Sequence, residues 1–168
     1  MIKLILTIAT TTLVSNLVYA SCASTNPQTT PIENFFLDDQ KGTALDYTTN
    51  LMWTRCQVGK TWSGSSCDGT ATTTNWRNAH QIAQASEYGG YSDWRIPNIK
   101  EILTIVEYSC SLPALNTTIF PNTPNDGSLW SSTTQNNELA FAMQFNAGYS
   151  QAITKSIQFT FLLVRDKQ

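Results

Sequence analysis

The chain has 168 residues, of which 41% are hydrophobic and only 13% are charged, with 10 basic and 12 acidic residues and a net charge of −2. This length suits one domain with a sizeable core. Because there is no run of basic residues, we do not expect nucleic acid as a partner.

Residues 1–20 have the pattern of a secretory signal peptide. A short basic start, Met1-Ile2-Lys3, precedes an uncharged apolar run, and the small residue Ala20 marks the predicted cleavage site. The apolar run is shorter than the roughly 20 residues that a membrane span needs. Residues 21–168 then carry 9 basic and 12 acidic residues, a charge of −3, and no transmembrane segment is predicted in them. The expected location is secreted, periplasmic or on the cell surface.

Four cysteines in an exported chain predict two disulfides. Cys56 and Cys67 flank a short Gly/Ser-rich stretch and are natural partners, which leaves Cys22 to pair with Cys110. A lipidated Cys22, close behind the predicted cleavage site, is an alternative. A zinc site is disfavoured because the chain has no CxxC motif and His80 is its only histidine.

The first half of the chain predicts a polar leader, a hairpin and two helices. The leader, residues 21–34, has two prolines and no periodicity, and we take 35–168 as a single domain. "GTALDY" and "LMWTRC" form a hairpin around residues 48–50. A first helix is capped by Thr74 or Asn75 and is expected to end at Gly89-Gly90. A second helix starts at Asn98, with Glu101 placed as in a capping box.

The second half predicts antiparallel strands, which makes the fold class α+β with a C-terminal antiparallel sheet. The short segments "LWSS", "LAFAMQF", "YSQAIT" and "FTFLLVRD" are β-prone and separated by turn residues. In the second segment, Leu139, Phe141, Met143 and Phe145 alternate with small or polar residues. This period of two is typical of a strand covered on one face.

The sequence contains no enzyme signature, so no catalytic residue and no cofactor are assigned. A hydrolase would have to use His80, which lies on the polar side of the first predicted helix. A calcium site is a further alternative, because the hard oxygen donors Asn122, Asn125, Asp126 and Glu138 lie in or near one long loop. Asn and Asp are also ordinary turn residues, and no metal site is assigned.

The aromatic residues are the remaining signal: 5 Trp, 6 Tyr and 7 Phe. Most are expected in the core, especially Trp53, Trp76, Trp94 and Trp130. Three loop aromatics, Trp62, Tyr91 and Tyr149, could instead face solvent and contact a sugar or a partner protein.

Several long motifs resemble the C-terminal domain of the Legionella collagen-like adhesin. The stretch "GTALDYTTNLMWTRC" is similar to the opening of that family, and "GGYSDWRIPNIKEI", "NTTIFPNTP", "LWSS" and "LLVRD" are similar to later blocks in the same order. The resemblance covers about residues 35–166. It implies a C-type-lectin-like fold and a binding or adhesive role rather than catalysis.

The resemblance also implies trimerisation and binding of sulfated glycosaminoglycans, and this chain departs from both. No collagen-like Gly-x-y region precedes the domain, and a charge of −3 removes the general attraction that a sulfated polyanion needs. By fold analogy, the ligand surface lies in the loops and strands of the second half. The candidate ligand-binding residues are therefore Trp62, Tyr91, Asn125, Asp126, Asn136, Asn137, Tyr149 and Gln151.

We therefore expect a secreted or surface-exposed bacterial domain for binding or adhesion, which recognises a glycan or a partner protein. One alternative is a structural subunit of a pilus or envelope assembly, with a homo-oligomer as one form of it; a hydrolase is the other. The segment Asp93-Trp94-Arg95, with Asn98 and Glu101, is expected to stabilise the crossing between the two helices.

Overall fold

The computed structural model describes residues 21–23 and 25–167, so the predicted signal peptide lies outside the described residues. The strands are β1 (Ser21–Cys22), β2 (Phe35–Asp38), β3 (Thr43–Asp46), β4 (Leu51–Thr54), β5 (Thr61–Trp62), β6 (Cys67–Asp68), β7 (Cys110–Ser111), β8 (Ser128–Thr134), β9 (Leu139–Gln144), β10 (Ser150–Thr154) and β11 (Val164–Asp166). The helices are α1 (Trp76–Gln84) and α2 (Ile99–Thr104), with 3-10 turns at Ile32–Asn34 and Tyr88–Gly90. The α+β class is confirmed. Within the described residues, neither α-helix has the length and apolarity to cross a membrane.

The predicted hairpin forms the centre of a four-stranded antiparallel sheet in the order β11-β4-β3-β2. The hairpin turn contains Asn50 in the left-handed region, with φ +57°. The closing strand β11 belongs to this sheet rather than to the C-terminal one, because Val164 pairs with Trp53 of β4. Leu162, Leu163 and Val164 are all buried, as expected of an apolar run that is covered on both sides.

Strands β8, β9 and β10 form a second antiparallel sheet with β9 in the middle. The prediction that β9 is covered on one face only is wrong. Met143 packs into the core with Ile102 of α2, while Ala140 and Ala142 are fully buried in a second core with Ala79 of α1. Both faces of β9 are therefore covered, and the alternation of large and small residues reflects the different space on the two sides of the strand.

Helix α1 starts where the sequence predicts and ends earlier. The Asn75 side chain accepts a hydrogen bond from the backbone N–H of Asn78 at 2.9 Å, as an N-cap does. The helix ends at Gln84 rather than at the glycine pair. Gly89 and Gly90 instead lie in a separate 3-10 turn with φ of +61° and +81°, where glycine avoids the strain of a side chain.

Helix α2 begins with a complete capping box. The Asn98 side chain accepts from the Glu101 backbone N–H at 3.0 Å, and the Glu101 carboxylate accepts from the Asn98 N–H at 2.7 Å. The same carboxylate accepts hydrogen bonds from the two terminal guanidinium nitrogens of Arg95, at 2.7 and 2.8 Å. This pairing and the capping bond hold the pKa of Glu101 below its usual value, although burial alone would raise it.

The crossing between the helices connects the α1 side of the molecule to strand β11. Trp94 is only 3% exposed, and its Nε1–H donates to the Tyr88 carbonyl oxygen at 2.9 Å. The backbone of Arg95 exchanges two hydrogen bonds with Val164, each of 3.0 Å. The segment therefore stabilises the fold by packing and by backbone pairing.

The two disulfides in the structure are the pairs that the sequence favours, Cys56–Cys67 and Cys22–Cys110. The second attaches the polar leader to the domain, and β1 pairs with β7 beside it. A lipidated Cys22 could not form this bridge.

Glu107 binds the leader at a second point, which sequence reasoning missed. Its carboxylate is buried and accepts hydrogen bonds from the backbone and hydroxyl groups of Thr29 and Thr30 and from the Ser109 N–H, at 2.8 to 3.3 Å. Burial alone would raise the pKa of Glu107, but these donors outweigh it and lower the pKa to about 2.

Glu107→Gln should therefore lower the free energy of unfolding at neutral pH by about 2–3 kcal/mol. The folded pKa lies below the usual 4.5, so the wild type has this stabilisation in full above about pH 5 and loses it as the pH falls toward 2. The gap between the two proteins in denaturant unfolding should close over that range. Glu87→Gln, at an exposed carboxylate that accepts no hydrogen bond within the described residues, is the control. A gap independent of pH would contradict this role.

Candidate functional site

Tyr91, one of the candidate ligand residues, covers a buried arginine. Two cations lie over its ring, with the Arg165 guanidinium carbon 4.2 Å and the Lys41 Nζ 4.5 Å from the ring centroid. Lys41 also donates to the Tyr91 hydroxyl at 2.9 Å. Beneath the ring, Arg165 donates to both oxygens of Asp93, at 2.5 and 3.0 Å, and this pairing lowers the pKa of the Asp93 carboxyl.

Trp62 covers a second buried arginine in the same way. The Arg55 guanidinium carbon lies 4.1 Å from the Trp62 ring centroid, and the indole N–H donates to the Asp39 carbonyl oxygen at 2.7 Å. Arg55 pairs with the Asp39 carboxylate at 2.6 Å and donates to the carbonyl oxygens of Thr118 and Ile119, both at 3.0 Å. We call each of these arrangements, an aromatic ring over a buried arginine that is paired with an aspartate, an arginine clamp. Both loop aromatics are thus part of arginine clamps, with only their outer surfaces left to solvent.

The six candidates in the second half fall at opposite ends of the β8–β10 sheet. Ser128 pairs with Gln144 and Met143 with Ser150, so Asn125, Asp126, Tyr149 and Gln151 belong to one end. Asn136 and Asn137 lie in the β8–β9 turn at the other end. The structure therefore does not bring the six residues into one site.

The end with Asp126 contains an apolar hollow of about 370 Å³. Phe145 and Phe159 contribute its rings, and Asp126 lies on its wall. Tyr149, at the same end of the sheet, is 51% exposed. The hollow has little polar lining and offers few hydrogen bonds to a sugar.

The other end contains a cavity of about 600 Å³, between the start of α1 and the end of β10. We call it the α1 pocket. Its lining residues are Asn75, Trp76, Arg77, His80, Gln81, Asn137, Lys155 and Ser156. Of the candidate ligand residues, only Asn137 lines it. The lining combines one large aromatic ring with amide, hydroxyl and cationic groups, which is the composition of a small-molecule site with oriented polar groups.

Trp76 is fixed in the α1 pocket by three contacts. Its indole N–H donates to the Ser131 carbonyl oxygen at 2.8 Å. Lys155 Nζ lies 4.6 Å from the ring centroid, and the His80 ring meets it edge-on at 4.3 Å. Since its N–H is used internally, the ring offers the ligand only apolar and π surface.

Lys155 is held at the mouth of the pocket by the β8–β9 turn. Its Nζ donates to the backbone carbonyl oxygens of Asn136 and Asn137, at 3.0 and 3.2 Å. The Asn136 side chain stabilises that turn by accepting from the N–H groups of Glu138 and Leu139, both at 2.9 Å. Asn136 therefore shapes the pocket rather than lining it.

The His80 side chain forms no hydrogen bond within the described residues, and its Nε2 atom is buried. Burial lowers the pKa of the imidazole, so the ring is neutral at pH 7. His80 also lines a second cavity, of about 310 Å³, together with Ser132 and Glu101. Glu101 bonds to Arg95 and Asn98, and within the described residues no hydrogen bond joins His80 to a serine or a carboxylate. This arrangement lacks the hydrogen-bonding order that a serine hydrolase needs.

The oxygen donors weighed for calcium do not converge. The Asn122 side chain donates to Ser66 and to the Cys67 carbonyl oxygen, on the disulfide loop. Across the described part of the chain, no group of three or more His, Cys, Asp or Glu side chains is placed to hold a metal ion.

Sequence reasoning missed Trp76, Arg77 and Lys155 as a group. The helical period assigns Trp76 to the buried face, and it is in fact only partly buried. The N-cap at Asn75 does place Trp76 and Arg77 in the first turn of α1. Nothing in the local sequence indicates that β10 ends beside that turn. The contact is made there by the backbone N–H of Trp76, which donates to the Lys155 carbonyl oxygen.

A sequence model of the Lcl C-terminal domain family matches residues 42–165, which confirms the family resemblance. The match spans both arginine clamps except Asp39 and Lys41, and it includes the whole α1 pocket. No curated protein matches the chain significantly. The C-type-lectin-like likeness stays a prediction.

Gly42, at the start of the matched region, allows the β2–β3 turn to approach the clamps. A Cβ on Gly42 would meet Trp62 Cγ and the Tyr88 hydroxyl at 2.5 Å, and its φ is +66°. Gly42→Ala should therefore destabilise the domain by about 1–3 kcal/mol more than Gly69→Ala. Gly69 also has a positive φ, +86°, but open space around it, so it isolates the backbone strain from the clash. Equal losses of stability in Gly42→Ala and Gly69→Ala, measured by thermal unfolding, would show that Trp62 and Tyr88 move aside at little cost.

Proposed function

This chain belongs to the Lcl C-terminal domain family, and on that premise we propose that it is a secreted or surface-exposed binding domain that recognises a glycan through the α1 pocket. The membership itself indicates a surface, adhesin-like domain. Two disulfides fit an oxidising compartment, as a secreted or surface protein requires. Cleavage of the signal peptide after Ala20 is part of the proposal.

The choice of a glycan as the ligand rests on the composition of the α1 pocket. Gln81 and Asn137 present amide groups beside the fixed Trp76 ring. Neither of these side chains has a hydrogen-bond partner within the described residues. Free amides provide donors and acceptors for hydroxyl groups, and the ring provides surface for the C–H face of a sugar. The proposal thus differs from the initial expectation in position, since most of the pocket comes from the first half of the chain.

We propose binding rather than catalysis because the chemistry that a hydrolase needs is not assembled around His80. Arg55, Arg95 and Arg165 and their carboxylate partners are committed to ion pairs with one another.

A glycan array should show wild-type binding that the double variant Gln81→Ala/Asn137→Ala reduces by about tenfold, because each lost hydrogen bond to a ligand costs on the order of 1 kcal/mol. Asn146→Ala removes a similar exposed amide outside the pocket and should bind as the wild type does. Binding that survives the double variant would place the site elsewhere. Specific capture of a protein with no glycan binding would favour a partner protein instead.

A structural subunit of a pilus or envelope assembly is the second candidate. Strand β2 is an edge strand, and Phe36 on it is 54% exposed, with Ile32 just before it 44% exposed. Exposed apolar side chains on an unpaired edge favour association with another strand. A stable closed oligomer or filament in size-exclusion chromatography with light scattering would favour this candidate, and a monomer would count against it.

A further inference from the structure

Arg77 differs from the other arginines of the chain, which has four. Arg55, Arg95 and Arg165 each pair with a carboxylate, at distances of 2.5 to 2.7 Å. The Arg77 guanidinium, at the wall of the α1 pocket, forms no ion pair or hydrogen bond within the described residues. This chain thus neutralises three of its guanidinium groups and leaves the fourth at the α1 pocket.

Lys155, the second cation of the pocket, also lacks a carboxylate. Its partners are the carbonyl oxygens of the β8–β9 turn and the Trp76 ring. None of the residues that line the pocket is acidic. Glu138, the acid nearest to Asn137 in the sequence, is exposed and is not part of the lining. The pocket is therefore locally positive in a chain whose net charge is −2.

We propose that the α1 pocket binds a sugar acid through a single carboxylate placed between Arg77 and Lys155. This inference rests on the proposed glycan function and deepens it. A guanidinium presents parallel N–H donors that match the two oxygens of a carboxylate, and Lys155 adds a point charge. The neutral hydroxyl groups of the same sugar then meet the amides of Gln81 and Asn137.

The charge of the whole chain argues for one carboxylate rather than a polyanion. Two cations line the pocket, and the acidic protein repels a ligand with many negative charges. A monovalent sugar acid uses the local cations without that general repulsion. The binding should weaken as salt rises, because both cations lie near the surface.

The test is an NMR titration that follows the Trp76 indole N–H and the backbone N–H of Arg77. The ligands are the methyl glycosides of glucuronic acid, galacturonic acid and N-acetylneuraminic acid, each compared with its neutral methyl ester. Titrations run to about 10 mM ligand, where a millimolar Kd is measurable. At about 20 mM salt, at least one acid should bind about fivefold or more tightly than its ester, and about 150 mM salt should reduce that preference.

Arg77→Gln should remove most of the preference for the acid, with the remainder due to Lys155. It should leave the thermal unfolding unchanged, because the Arg77 side chain forms no ion pair or hydrogen bond within the described residues. Lys100→Gln, an exposed cation on α2 outside the pocket, is the matched control and should keep the preference. A preference as large in Arg77→Gln as in the wild type would overturn the proposal.

The remaining outcomes separate the two claims. Equal binding of acid and ester would refute the carboxylate site and leave the glycan function standing. No shift with any sugar, together with an empty glycan array, would refute the glycan function. Tighter binding of heparin than of any monovalent acid would show that a polyanion is the ligand. Arg77-dependent shifts with a short acidic peptide, and none with the sugars, would assign the pocket to a protein partner.

Discussion

Arg165 is buried, and its charge is balanced by Asp93, which lies 72 residues earlier in the chain. A buried guanidinium without its carboxylate would be strongly unfavourable, so this pair fixes where the C-terminal strand must lie. Beside it, Arg95 pairs with Val164 through the backbone and with Glu101 through the side chain. The strand, the crossing and the start of α2 are therefore positioned together, and α1 packs against the core that Trp94 completes.

The clamps account for two of the three loop aromatics that the sequence marks as possible ligand contacts. Trp62 covers Arg55 and Tyr91 covers Arg165, and in each case a carboxylate from a more exposed residue completes the arrangement. An aromatic ring over a guanidinium shields it from water and adds a cation–π contribution. Residues that look like ligand contacts in the sequence can thus serve the fold. The α1 pocket has the opposite character, because within the described residues its cations have no carboxylate partner and the Gln81 and Asn137 amides form no hydrogen bond.

Local sequence predicted local structure well, and long-range pairing poorly. The capping box at Asn98, the hairpin of β3 and β4 and the α+β class follow from short-range patterns. Strand β11 pairs with the distant strand β4, and Arg165 bonds to the equally distant Asp93; no local pattern near Arg165 reveals either partner. The link between Glu107 and Thr29–Thr30 is equally remote. Of the candidate site, only Asn137 could be named in advance, since the pocket arises where the end of β10 meets the first turn of α1.

The central claim is that Asp93 and Arg165 act as one structural unit on which the crossing and the closing strand depend. A double-mutant cycle of Asp93→Asn, Arg165→Met and the combined variant, read by denaturant unfolding, tests it most directly. We predict a coupling free energy of about 1–3 kcal/mol, with the combined variant less destabilised than the sum of the single variants. Additive losses within about 0.5 kcal/mol would contradict the account, since the two side chains would then contribute independently.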